Sequence, residues 1–156
     1  MRSLRDALGQ FATGVAVVTT ATWDGERAGV TVNSFTSVSL DPPLVLWCLS
    51  LRAPSEPVFR RAGRFAVNVL AADQDGLSRR FATPGPDKFA GVETCLSACG
   101  LPVLAGTVAF FLCRTLTAHD GGDHRIFVGE VERFERRGGE PLVFHSGRYR
   151  ALSACA

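Results

Sequence analysis

The sequence predicts a mainly β, antiparallel protein, with six strands closed or nearly closed into a barrel and a few short flanking helices. Three observations carry this expectation. Runs rich in Val, Thr and Phe recur along the chain, turn signals built on Gly, Pro and Asp separate them, and few segments have helical spacing. Closure is expected because an open sheet of such strands would present long unpaired edges. At 156 residues, with no repeat, low-complexity tract or linker, the chain reads as one domain over residues 1–156.

Leu4, Ala7, Leu8 and Phe11 fall at helical spacing, so residues 3–11 are expected to form a short amphipathic helix that ends near Gly14. Residues 15–20 are β-branched, and Asp24-Gly25 marks a hairpin turn into a strand over residues 28–32. A short strand at residues 37–40 is stopped by Pro42 and Pro43, whose rings cannot donate to a central ladder. Residues 44–49 are almost wholly apolar and predict a strand buried on both faces. Residues 54–61 suit a helix with Pro57 in its first turn, residues 65–70 a strand, and residues 74–82 a helix despite Gly76. Residues 83–94 carry Pro84, Gly85, Pro86 and Gly91 and read as a loop. Two long strands, residues 107–119 and 124–134, flank Gly121-Gly122 as an antiparallel hairpin, and residues 141–144 and 146–149 are closing segments.

Composition narrows the function classes. Hydrophobic residues at 46% and charged residues at 21% are ordinary for a soluble globular domain. A net charge of +2, with no basic run longer than pairs such as Arg60-Arg61, argues against a nucleic-acid partner. No apolar run reaches the roughly 20 residues of a membrane helix, and residues 1–10 lack the apolar core of a secretory leader. A cytoplasmic protein without membrane contact is expected. The five cysteines, Cys48, Cys95, Cys99, Cys113 and Cys155, show no metal-site pairing, so reduced thiols and no metal are expected. Cys95 and Cys99 would be neighbours if their segment were helical. Glycine-rich nucleotide loops, a His-Glu-x-x-His pair and a serine nucleophile elbow are all missing. Any redox or group-transfer chemistry would therefore belong to a bound cofactor.

Three polar clusters remain. Residues 31–37 place Thr31, Asn33, Ser34, Thr36 and Ser37 between two apolar strands. They suit either a solvated, self-capping loop or a rim that offers hydroxyls, an amide and backbone groups to a planar ligand. Residues 50–55 pass from a strand to a helix start, with Ser50, Arg52 and Ser55. They read either as an ordinary serine cap beside a surface arginine or as a phosphate site. Residues 121–131 bring His124 into a strand beside a glycine turn, a place more typical of a contact residue than of a catalytic one.

The order of these segments resembles the flavin reductase family that serves two-component flavin-dependent monooxygenases. The matching pieces are FATGVAVVTT at residues 11–20, GVTVNSFTSVSLDPPLV at 29–45, FAVNVL at 65–70, Leu77-Ser78 with Phe81-Ala82, GDHRIFVGEV at 122–131, and PLVF and SGRY at 141–144 and 146–149. The resemblance implies a Greek-key split β-barrel, a homodimer with flavin near the subunit interface, and transient service to a partner monooxygenase. Thr31, Val32, Asn33, Ser34, Ser37 and Val38 would then line the ring and ribityl chain. Ser50, Leu51, Arg52 and Ser55 would hold the phosphate, and Phe81, Ala82, Lys88 and Phe89 would close the site. His124 would contact the nicotinamide nucleotide without carrying an essential proton, with Arg148 and Tyr149 bordering that pocket. The implied reaction is hydride transfer from NADH or NADPH to FMN or FAD. Two alternatives stay open: a flavoprotein of the same fold that holds its flavin tightly and acts on its own substrate, and a non-catalytic flavin- or haem-binding module.

Overall fold

The computed structural model describes residues 2–153. Along the chain run α1 (Arg2–Leu8), β1 (Thr13–Gly14), β2 (Ala16–Ala21), β3 (Arg27–Val32), β4 (Thr36–Leu40), β5 (Pro43–Ser50), α2 (Glu56–Ala62), β6 (Arg64–Val69), α3 (Asp75–Ala82), β7 (Thr94–Leu96), β8 (Pro102–Leu104), β9 (Ala109–Gly121), β10 (His124–Arg136), β11 (Val143–His145) and β12 (Arg148–Arg150). The protein is mainly β and its strand pairs are antiparallel. Seven strands form the principal sheet in the order β3-β2-β6-β9-β10-β5-β4, while β1, β11 and β12 make a small second sheet and β7 pairs with β8. The principal sheet curls until β3 lies beside β5, but no ladder joins them. Ser34 crosses that gap: its Oγ accepts the Cys48 N–H at 2.9 Å and donates to the Cys48 carbonyl at 3.3 Å. The barrel is split at this seam.

The hairpins form where the turn residues allow. Gly25 takes φ +90 between β2 and β3, and Thr22 Oγ1 accepts the Glu26 N–H at 3.1 Å to close the turn. Gly122 takes φ +70 between β9 and β10. In both places a side chain would strain the backbone.

The interior is built from aromatic rings. Trp47 on β5 stacks on Phe127 of β10, centroids 4.8 Å apart, and meets Phe59 and Phe65 edge-on. Rings of this size bury the most apolar area per residue and set the spacing of the walls around them.

Three expectations need correction. The N-terminal helix is shorter than residues 3–11 and ends at Leu8, with Thr13 and Gly14 already paired to β11. The strand buried on both faces is not β5, which alternates: Val45, Trp47 and Leu49 are buried, while Leu44, Leu46 and Cys48 are half-open. That role belongs to β2, where Ala16 and Val18 enter one core cluster while Val17, with Val15 just before the strand, enters another. Its polar Thr19 and Thr20 can be fully buried because their hydroxyls donate to the carbonyls of Pro102 and Arg64. Residues 83–93 form the expected loop, and from Thr94 onward β7 and β8 pair as a hairpin. Cys95 therefore lies on a strand and Cys99 beyond it, both exposed and free, so they are not neighbours on a helix. Cys155 falls outside the described residues.

Candidate functional site

The seam between β3 and β5 opens into a cleft of about 310 Å³. One wall is Val30, Thr31, Val32, Asn33 and Ser34; the other is Cys48, Leu49, Ser50 and Ala53; His124 stands at the end. Register explains the meeting. Antiparallel pairing of β10 with β5 sets His124 directly opposite Ser50, and the Ser34 bridge fixes residues 31–34 against Cys48. Segments from three separate parts of the chain thus share one concavity.

Local hydrogen bonds decide which groups are free. Thr31 Oγ1 donates to the Ser78 carbonyl at 2.6 Å, and Ser34 is committed to Cys48, so both hydroxyls hold the wall in place. Among the described residues the Asn33 amide has no hydrogen-bond partner. β3 is an edge of the principal sheet. The Gly29 carbonyl points away from β2, since it accepts Lys88 Nζ at 3.3 Å. By strand alternation the backbone N–H and C=O of Thr31 point the same way. The cleft therefore combines Val, Leu and Ala walls with an edge of backbone donors and acceptors and a few polar side chains, which suits a flat, largely apolar ring with a hydrogen-bonding rim.

His124 Nδ1 lies 2.7 Å from Asp123 Oδ1. That hydrogen bond and the histidine's charge hold the Asp123 carboxyl below the usual aspartate range, with Arg52 adding a smaller pull. Arg52 is exposed and near Asp123, at the rim of the cleft and not in its wall. The turn before it is closed by Ala53 N–H donating to the Ser50 carbonyl at 3.0 Å and by Leu51 N–H donating to the Asp123 carbonyl at 3.0 Å.

The family model for the flavin reductase like domain matches residues 8–153. The chain belongs to this flavin reductase-like family. The chain is 51% identical over 152 residues to the FMN reductase (NADH) SmoA of Agrobacterium fabrum, covering 97% of this chain and 86% of that protein. It is 42% identical over 152 residues to the reductase subunit HsaB of a flavin-dependent monooxygenase from Rhodococcus jostii, covering 97% and 77%. The structure is similar to that of the Streptomyces globisporus NADH:FAD oxidoreductase SgcE6 in complex with NAD and FAD fragments, with TM-score 0.92, 42% identity and 97% and 92% of the two chains covered.

Within this flavin reductase fold the remaining expected residues spread over two adjoining clefts. A cleft of about 180 Å³ continues along β3 from Thr31, Val32 and Asn33 to Ser78, Ala82 and Tyr149. Tyr149 is held there by its hydroxyl, 2.7 Å from Ser78 Oγ, and by the Arg79 guanidinium over its ring. A third cleft, about 280 Å³, holds Ser55, Lys88 and Phe89 together with Arg27. Lys88 Nζ donates to the Phe81 carbonyl at 2.8 Å as well as to Gly29, and burial pushes this ammonium below the usual lysine range. Phe81 itself is 0% exposed, packed against Phe89 in the core, so its side chain supports the site from behind.

Other expected residues lie apart from the clefts. Ser37 and Val38 sit on the exposed outer edge strand β4 at a bulge, and Leu51 and Arg148 are exposed beside the clefts and line none of them. The start of α2 also differs from expectation. Ser55 makes no side-chain cap, and buried Glu56 in the first turn faces Arg125, with Oε1 and Nε 2.8 Å apart. A carboxylate already answers the positive end of this helix. Val30, Cys48, Leu49 and Ala53 line the main cleft without having been singled out. Their signal was only that they neighbour polar clusters on a strand.

Proposed function

We propose that this protein is a flavin reductase that passes hydride from NADH or NADPH to FMN or FAD and supplies the reduced flavin to a partner monooxygenase. One observation carries the reading: Thr31, Asn33, Ser50 and His124 line a single cleft at the barrel seam. The names of the relatives, an NADH-dependent FMN reductase and a monooxygenase reductase subunit among them, agree with it.

Flavin and dihydronicotinamide supply the hydride chemistry between them, so the chain's task is placement. In this reading the Val30, Val32 and Leu49 side chains and the Thr31 backbone seat the ring. The Ser50 hydroxyl and the Arg52 guanidinium hold the phosphate as charge-assisted donors. His124, oriented by Asp123, contacts the nicotinamide nucleotide. Bringing the two reactants to ~3–3.5 Å is what such positioning achieves in rate, and no acid or base on the protein is required.

We also infer a homodimer acting in the cytoplasm. Phe35, Phe111 and Phe134 form a row of rings that ends with Phe134 68% exposed, and Leu40 on the outer edge strand is 92% exposed. A second copy would cover such surface.

The test is NADH oxidation with catalytic enzyme and varied free flavin. The reading expects oxidation that depends on added flavin and reduces many flavins per enzyme. Oxidation independent of added flavin, with one flavin held per chain, would instead support a flavoprotein acting on its own substrate.

A further inference from the structure

Arg125 and Glu56 meet at the end of the barrel that carries His124. Strand pairing sets Arg125 opposite Leu49 of β5 and Asp120 of β9. Leu49 belongs to the core, so alternation along β10 turns Arg125 inward, toward α2, while its neighbour His124 stands at the end of the cleft. The guanidinium joins two elements: Nε lies 2.8 Å from Glu56 Oε1, and a terminal nitrogen lies 3.3 Å from Asp120 Oδ1. The Glu56 contact is an ion pair outside hydrogen-bond angles, and neither Oε1 nor Nε has a hydrogen-bond partner among the described residues. Glu56 is buried and Asp120 exposed, so the Glu56 side of this bridge is the less screened one.

The segment that Arg125 anchors has little else to stiffen it. Gly121 and Gly122 make the turn, and Asp123 is exposed. Leu51 N–H donates to the Asp123 carbonyl on one side, and Glu56 N–H donates to the Ala53 carbonyl where the turn at residues 50–53 enters α2, both at 3.0 Å. The ion pair closes the other side. A buried ion pair is a weak source of stability, because apolar residues of like size often do as well. What it supplies here is a fixed direction for the strand end beside His124.

We propose that Glu56 and Arg125, steadied by Asp120, are positioning residues for the nicotinamide nucleotide: they tie the β9–β10 turn to α2 and so fix the aim of the His124 ring. The proposal rests on the reading above that His124 contacts the nucleotide. Arg125 does not line the cleft, so it acts through His124. Its planar fork holds acids on two elements at once, which a lysine ammonium does less well.

Steady-state kinetics with NADH varied at saturating FMN, alongside thermal melts, test this on the whole chain. Glu56→Gln and Arg125→Met each leave one charge without its partner and should lower Tm. The double variant removes both charges, should regain most of that loss, and carries the test where a single variant does not fold. In it the KM for NADH should rise about fivefold, the scale on which a packed network alters a site it does not touch, while kcat and the flavin dissociation constant stay within about twofold. Arg125→Lys keeps the charge without the fork and should fall between. In a His124→Asn background the same double change should move KM by less than about twofold, because the residue it acts through is gone. A double variant with wild-type KM, its stability regained, would show a purely structural pair and overturn the proposal. So would a KM rise that adds fully to that of His124→Asn, which would make Arg125 a direct contact, or a joint loss of kcat and flavin affinity. An unchanged KM in His124→Asn alone would overturn the reading of His124 itself, a different outcome from any of these.

Discussion

Gly29 should not tolerate a methyl group, and the reason links the core to the cleft wall. A Cβ at this position would sit 2.5 Å from Phe81 Cε1 and 2.6 Å from Cδ1, with Phe89 Cζ at 3.3 Å. Relaxed carbon contacts lie at ~3.5–4.0 Å, so relief needs a movement of about 1 Å. Phe81 is 0% exposed and edge-on to Phe89 at 5.1 Å, so it has no room to yield. Overpacking of this kind costs roughly 1–3 kcal/mol, or about 2–12 °C in Tm for a chain of this length. If β3 moves instead, the Lys88 bond to the Gly29 carbonyl lengthens and the Thr31 backbone leaves the cleft wall, so flavin affinity falls too. Thermal melts of Gly29→Ala, Phe81→Leu and the double variant, all without flavin, give the check. Trimming the ring should recover part of the loss, which a double-mutant cycle reads as coupling. Gly29→Ala melting within about 1 °C of the wild type, or strict additivity of the two changes, would refute the reasoning.

Ser34→Ala should lower stability by about 1–2 kcal/mol, because the half-buried Cys48 amide loses its partner, and should weaken flavin binding by loosening the seam; urea unfolding and flavin titration read the two effects. His124→Asn should raise the KM for NADH several-fold while the flavin dissociation constant stays close to wild type, and a collapse of kcat with KM unchanged would remove the positioning role. Arg52→Ala should weaken FMN binding by about 1 kcal/mol, near fivefold, since the side chain is exposed and screened; an unchanged FMN titration would discard the contact. Burial, with a smaller contribution from Glu132, pushes the Cys113 thiol up to about 12, so it stays protonated at neutral pH. Iodoacetamide on the native protein should therefore label Cys95 and Cys99, which are exposed, and leave Cys113 unlabelled, as peptide mass spectrometry would show.

Much of this molecule is legible in the sequence where one residue decides one feature. Gly25 and Gly122 mark the hairpins, Pro42 and Pro43 end β4, and the polar run at residues 31–37 begins in the wall that lines the cleft. Misreadings arise where the deciding partner is distant. The burial of β2 on both faces is hidden because Thr19, Thr20 and the Asn68 of β6 look solvated until their partners are found. Asn68 Nδ2 donates to the Val17 carbonyl at 3.0 Å and its Oδ1 accepts the Leu104 N–H at 2.9 Å. The apolar run of β5 suggests two buried faces, yet Leu44 and Leu46 look outward from the single chain. The helix start at residue 55 offers a serine cap in the sequence, and only the fold shows buried Glu56 meeting Arg125 there. Arg27 has no motif around it, and only its position over Phe89 draws it to the third cleft.

The claim on which the rest depends is that flavin sits at the barrel seam, and a crystal structure with bound flavin tests it most directly. The expected density places the ring between the Thr31 edge of β3 and the Leu49–Ala53 wall, phosphate toward Ser50 and Arg52, with His124 left open to the nicotinamide. Flavin density at another surface, with this cleft filled by solvent alone, would contradict it.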